Sequence, residues 1–308
     1  MAFEKIVLVT RKTRLEGLIE RFNTRAQAQF YIEHGGGDFG LYAQEHQTYH
    51  AALAALRQEL APLLKLHVIE RQMLPNFIFS ETDIVVTVGI DGLVVNTAKY
   101  LAGQPLVAVN PDPAHIDGVL LPFTVAAAPE AVKRVLKEQA EIRAVSMAEA
   151  RLNDGQVLLA FNDLFVGVRN HTSARYVIQA QGQKERHSSS GIIISTGAGS
   201  TGWLSSLFNM ANGMLARFGP AGQPLAPLRL PMDADSLVFV VREPFVSKTS
   251  GASVVCGIVT RESPLVVEAQ TPENGVIFSD GVEADFLDFN AGAIATIGLA
   301  AQKTRLVV

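Results

Sequence analysis

The sequence of 308 residues contains one cysteine, Cys256. An intramolecular disulfide is therefore excluded, and with it the disulfide-stapled scaffolds. Cys256 lies in an apolar run, 253–259, and is expected to be a buried thiol in a reducing compartment. Charge is scarce too. Charged residues are 18% and the formal net charge is -4, so no general basic field attracts a polyanion, and nucleic acid is not the expected partner. No run approaches the ~20 consecutive apolar residues of a membrane helix. The opening MAFEKIVLVTRK has neither a long apolar stretch nor a small-residue cleavage site, which makes the cytoplasm the expected location. GxxxxGK[ST], HExxH, a CxxC pair and a nucleophile elbow are all missing. Their absence removes P-loop NTPases and the common zinc-protease and hydrolase signatures.

What is present is apolar and patterned. Apolar residues make up 48%, enough for two cores of ordinary size. In the first part, the runs 6–10, 83–88 and 106–109 are β-rich and apolar on both faces, as strands of a helix-covered parallel sheet must be. Stretches 15–31 and 49–66 carry helical spacing, and Thr13 with Glu16 makes a capping box ahead of the first. A helix is expected at 129–139. Beyond it, short runs at 156–159, 174–179, 191–196, 237–242, 253–260, 265–269, 276–279 and 293–298 are separated by Gly, Pro, Asn and Asp. That pattern predicts an antiparallel sandwich. The expected organisation is an α/β N-terminal domain with a parallel sheet, residues 1–125, and an all-β sandwich-like C-terminal domain, residues 126–308, whose last segment packs back on the first. The proline-rich stretch 219–231 reads as a long loop within the second domain.

Two glycine segments follow strands. Gly89, Ile90, Asp91 and Gly92 end the strand 83–88 and precede a helical run, 94–101. In open α/β sheets ligands sit at the carboxyl ends of strands, where a helix N-terminus meets anions. Asp91 is then either a group at the mouth of a site or a helix cap. The second segment, Gly197 to Gly202, spells GxGxxG between the strand 192–195 and a helix at 203–215. No acidic residue follows about 20 positions on, and the surroundings are β-rich, which argues against a Rossmann site. A glycine loop that lets a nucleotide approach the backbone, with the Ser200 and Thr201 hydroxyls as donors and Trp203 as a stacking face, needs no such context. His46 and His50 stand at helical i and i+4, but without an evident third ligand they read as a solvated face and no metal is expected. Arg11, Lys12 and Arg14 cluster after the first strand, where they could meet phosphate.

Taken in order, the segments TRKTRL (10–15), GIDGL (89–93), VNPDP (109–113), FND (161–163), SSGIIISTGAGSTGW (189–203), VREP (241–244), SDG (279–281) and FNAGAIA (289–295) resemble NAD kinases. The similarity is greatest to the mitochondrial-type branch. The resemblance implies transfer of the terminal phosphate of ATP, or of polyphosphate, with Mg2+, to the 2′-hydroxyl of the adenosine ribose of NAD. It implies a homodimer working on small-molecule nucleotides, with no membrane partner. Residue by residue, it makes Asp91 the base near that hydroxyl. Gly89 and Gly92 would keep the loop open to phosphates, and Asn162 and Asp163 would bind NAD. It places Thr201, Gly202 and Trp203 on the adenine side, with Gly199, Ser200 and Ser206 also among the nucleotide-binding residues. Asn96 falls where the family often has Arg or His. The family's GGDGT stands here as GIDGL. If the second position requires φ > 0, Ile90 disfavours it and the loop is expected to bend differently. The same departure motivates a nucleotide-binding protein that has lost transfer activity, and because lipid kinases share the GGDGT-type domain, a related kinase with a lipid or sugar acceptor is a further alternative.

Overall fold

The computed structural model describes residues 3–220 and 222–308. The chain divides into two compact units, Met1–Arg143 with Thr304–Val308, and Ala144–Lys303.

The first unit is built on β1 (Lys5–Thr10), α1 (Arg14–Phe22), α2 (Arg25–His34), α3 (Phe39–Leu60), β2 (Lys65–Glu70), β3 (Asp83–Val88), α4 (Asp91–Ala98), β4 (Pro105–Asn110), β5 (Phe123–Thr124) and α5 (Ala128–Leu136). Its strands pair in parallel, in the order β2-β1-β3-β4, with β5 and the late residues Arg305 and Leu306 also on β4. Ile6 to Val9 and Ile84 to Val86 are fully buried, which is why these runs carry no alternation of polar residues. The unit extends past the expected end at 125 because α5 sets Ala128, Ala131, Val132 and Val135 into the same core as Val107 and Val109.

The helical stretch expected at 15–31 is two helices. Asn23 adopts the left-handed conformation (φ 67°) and Thr24 caps α2 by accepting from the Gln27 N–H. Asn and Thr are favoured at those two positions, so the break has a local signal. The next helix starts earlier than expected, at Phe39 after an Asp38 cap, and the last residues expected in it, Lys65 and Leu66, open β2 instead.

The second unit holds two antiparallel sheets. One runs β10 (Gln183–Ser189), β9 (Ala174–Ala180), β14 (Leu265–Ala269), β17 (Ile294–Val307), with β6 (Ile142–Leu152) on β17 and β7 (Val157–Ala160) on β6. The other runs β13 (Cys256–Val259), β12 (Leu237–Val241), β11 (Ile192–Ser195), β8 (Asp163–Val168), β15 (Gly275–Ser279), β16 (Val282–Asp288). Apolar side chains of both meet in one core that includes Tyr176, Ile178, Ile192, Ile194, Phe239, Val267 and Ile277, the sandwich expected. α6 (Trp203–Phe218) follows β11. Cys256 is exposed, not buried: it lies on the edge strand β13, where only Val259 turns fully into the core.

Candidate functional site

The chain leaves β1 to form β2 on one side and returns to form β3 on the other. This reversal opens a crevice at the carboxyl ends of the strands, the usual ligand position in such sheets. A cavity of about 350 Å³ there is lined by Arg11, Arg14, Glu45, Tyr49, Ile90, Asp112 and His115. Arg11 is held on several sides. Its N–H donates to the Tyr49 hydroxyl at 2.9 Å, Nη2 donates to Glu45 at 3.0 Å and Nη1 to the Lys12 carbonyl at 3.1 Å. Its Nε is buried without a hydrogen-bond partner. Gly89 leaves it room, since a Cβ there would meet Arg11 Cδ at 3.3 Å and Leu93 Cδ2 at 3.1 Å.

Ile90 is extended (φ -110°, ψ 167°), a conformation a β-branched residue adopts without strain. The loop therefore bends without any need for positive φ. Asp91 is the first residue of α4 and not its cap, a position Ile90 takes without a side-chain bond. Asp91 Oδ1 accepts the Leu120 N–H at 2.8 Å, and Oδ2 makes no hydrogen bond to the described residues. The carboxylate thus stands at the positive end of a helix, where a negative charge is favoured. Gly92 faces open space. Leu93 is buried, so where the family has a hydroxyl this chain has a core side chain. Asn96 is buried, with Oδ1 accepting from Arg71 Nε at 3.2 Å and Nδ2 unpartnered. Its side-chain oxygen thereby ties α4 to Arg71.

In the second unit three turns are tied together. The Asp280 carboxylate accepts the N–H groups of Phe161, Asn162 and Asp163 at 3.0, 2.7 and 3.2 Å, and its own N–H donates to the Asp163 carbonyl at 2.9 Å. The Thr196 N–H donates to the Asn162 carbonyl at 2.9 Å and its hydroxyl to the Phe161 carbonyl at 2.5 Å. The glycines follow from this packing. A Cβ on Gly197 would lie 1.8 Å from the Pro231 carbonyl oxygen, and one on Gly199 2.3 Å from that of Asn162. Both neighbours are backbone and cannot yield. Ser200 is buried, its hydroxyl donating to the Gly197 carbonyl at 2.7 Å and accepting from the Leu230 N–H at 3.3 Å. In this arrangement the hydroxyl braces the loop. Thr201 and Gly202 are exposed at the loop's end, and Ser206 donates to the Trp203 carbonyl at 2.6 Å.

Burial pushes the Asp163 carboxyl up to about 7, the Asp280 charge pushes in the same direction, and the Ser195 hydroxyl opposes both. Its Oδ1 has no partner and would be 2.8 Å from a Cβ on Gly199. A group of this kind donates a hydrogen bond when neutral and accepts when charged. Trp203 stacks on Phe165, with centroids 5.9 Å apart and planes at 13°, and the Arg242 guanidinium lies 5.6 Å from its ring. They share a cavity of about 370 Å³ with Arg169, Phe278 and Phe286. One face of the indole is therefore already occupied by protein.

No protein-family model matches the chain, and no curated protein does. Solved structures do. A yeast NADH kinase complexed with NADH superposes with a TM-score of 0.56 at 16% identity, over 100% of this chain and 84% of that one. An NAD kinase from Archaeoglobus fulgidus in complex with ATP superposes with a TM-score of 0.53 at 17% identity, over 98% of this chain and 93% of that one. At such identities the likeness is one of fold. The fold is that of NAD kinases.

Two features of these turns are not apparent from local sequence. Asp280 was visible only as part of SDG, yet it anchors the Asn162–Asp163 turn. Its signal is the Asp-Gly pair in left-handed conformation (φ 55° and 68°) between β15 and β16. The unpaired Arg11 Nε became visible only with burial.

Proposed function

We propose that this chain is an NAD kinase-like phosphotransferase of the mitochondrial type, converting NAD to NADP with ATP, or polyphosphate, as phosphate donor. The observation that carries the reading is the knot of turns around Asp280, which fixes Asn162, Asp163 and the 196–202 loop in one rigid constellation. It is found on a fold shared with enzymes named for NAD and NADH phosphorylation.

In this reaction the 2′-hydroxyl oxygen bonds to the terminal phosphorus as the bond to the leaving diphosphate breaks, and the hydroxyl proton passes to Asp91. The transition state is loose, so alignment and charge neutralisation supply most of the rate. Asp91 Oδ2 is the acceptor oxygen, since Oδ1 is held by Leu120. Gly89 and Gly92 leave the α4 N-terminus open to phosphate, with Arg11 adding positive charge beside it. Mg2+ would be carried mainly by the donor's own phosphates and would supply charge neutralisation there, which leaves Asp91 Oδ2 free for the proton. Asn162, Asp163, Gly199, Thr201, Gly202 and Trp203 hold the acceptor nucleotide. Gly202, whose Cβ position is not blocked by side chains, lets it approach the backbone.

We assign the enzyme to the cytoplasm; no described helix is long and apolar enough to cross a membrane. We further propose a homodimer, supported by Met210, Met214, Leu215 and Phe218, which leave an apolar stretch of α6 exposed. The buried Leu93 in place of a hydroxyl favours a second reading, a protein that binds NAD without transferring phosphate. An acceptor panel of NAD, NADH, a diacylglycerol and a hexose, each with ATP and Mg2+, tests the assignment. Phosphorylation of NAD or NADH alone is expected, and phosphorylation of the lipid or sugar instead overturns it.

A further inference from the structure

Helices α1 and α3 bring together three side chains that the nucleotide chemistry does not use. His46 and His50 are one turn apart on α3, their ring centroids 4.4 Å apart. Glu16 comes from α1. One ligand atom from each of Glu16, His46 and His50 lies within 4.8 Å of the other two. Read from the sequence, the histidine pair lacked a third ligand; the fold supplies it.

We propose that Glu16, His46 and His50 form a binding site for one divalent transition-metal ion of the zinc type, clipping α1 to α3. Each ligand atom is selected by what holds the rest of its side chain. Glu16 Oε2 accepts the Thr13 N–H at 2.7 Å in the capping box, which leaves Oε1 for the ion. Oε1 is already 3.0 Å from His50 Nε2. His46 Nδ1 lies 2.9 Å from the Thr13 hydroxyl oxygen, so with Nδ1–H donating to that oxygen, Nε2 is the bare nitrogen. A second-shell hydrogen bond of this kind fixes the tautomer of metal-bound histidines. Zinc bonds of about 2.0–2.2 Å put tetrahedral ligand atoms roughly 3.4 Å apart. The His50–Glu16 pair is near that spacing, and the remaining closure is within reach of rotation by surface side chains. The His50 and Glu16 side chains are 43% and 31% exposed, so the ion has an entry path and water can fill the fourth position. Two imidazoles and one carboxylate are a donor set that selects zinc over Mg2+ or Ca2+, which prefer oxygen ligands.

The test uses untagged full-length protein, titrated with zinc chloride against a chromophoric chelator. The wild type is expected to take up one equivalent, and thermal unfolding is expected to shift upward with it. His46→Gln and His50→Gln should each weaken binding by at least about a hundredfold, because even outer-shell losses reach 10–100-fold. His50→Gln keeps a donor for Glu16, and Glu16→Gln keeps the capping box, so neither variant loses its helix. Cobalt(II) in place of zinc should give visible absorption bands in the wild type alone. Zinc binding equal in the wild type and in both histidine variants overturns the proposal, as does a wild type that takes up no stoichiometric zinc.

Discussion

The two glycine loops, 89–93 in the first unit and 197–202 in the second, differ in what surrounds their glycines. Around Gly197 and Gly199 a single added carbon would strike backbone oxygens at 1.8 and 2.3 Å. Around Gly92 it would meet nothing nearer than a side-chain methyl at 4.0 Å, and at Gly89 it would touch only side chains. The second loop is thus part of a closed hydrogen-bonded knot, while in the first no backbone atom presses on either glycine, Ile90 is exposed and Leu93 packs into the core. Departure from a family pattern is physically tolerable in the first loop, and Ile90 and Leu93 occur there. In the closed loop the pattern is held by sterics.

Substitutions can break or sharpen this contrast. The largest effect is expected from Asp91→Asn, which should lower turnover by about 10²–10⁴-fold, the usual contribution of a proton acceptor, with NAD affinity nearly unchanged in a direct binding assay. Unchanged turnover would return Asp91 to a structural role. Next, Gly199→Ala should destabilise the protein by about 1–3 kcal/mol, the scale of overpacking, and weaken NAD binding. Gly92→Ala should leave the denaturation midpoint nearly where it was. Equal loss in both would erase the distinction between the loops. Asp280→Ala strips three backbone N–H groups of their acceptor and is expected to cost about 2–3 kcal/mol in urea unfolding. A smaller effect is expected at Trp203. Trp203→Ala should weaken NAD binding by roughly 1–3 kcal/mol, the range of a stacking contact, and toward the lower end because Phe165 already covers one face.

Asp163 gives the pH dependence. Its carboxyl is raised from 3.8 to about 7 in the folded protein, so the folded state holds its proton more tightly than the unfolded chain. Folding is favoured where the group is neutral in both states, and that advantage is lost as pH rises from about 4 to about 7. Asp163→Asn should therefore flatten the decline in stability across that window and be more stable than the wild type at pH 8, as measured by chemical denaturation. A parallel decline in both proteins would place the titration elsewhere.

The sequence showed β1, β3 and β4 because their burial on both faces leaves unbroken apolar runs, it did not show the largely exposed parallel edge strand β2, and it showed most sandwich strands through turn residues between them. β10, QKERHSS, was not visible because it is an edge strand whose outward side chains are charged. β6 was masked by alanines that suit either helix or strand. The two glycine loops were legible as strand-to-helix turns, which the structure has at 89–91 and 196–202. The roles of Ser200 and Asp280 were not, because a hydroxyl turned inward and a carboxylate reaching another turn are products of tertiary packing that no local pattern encodes. The third member of the His46–His50 cluster was hidden for the same reason.

The most direct measurement follows labelled phosphate. Purified protein is incubated with NAD, Mg2+ and ATP labelled at the terminal phosphate, and the product is located by mass spectrometry. NADP carrying the label on the 2′-oxygen of the adenosine ribose is expected from the wild type, and none from Asp91→Asn. Saturable NAD binding with no labelled NADP from the wild type would contradict it.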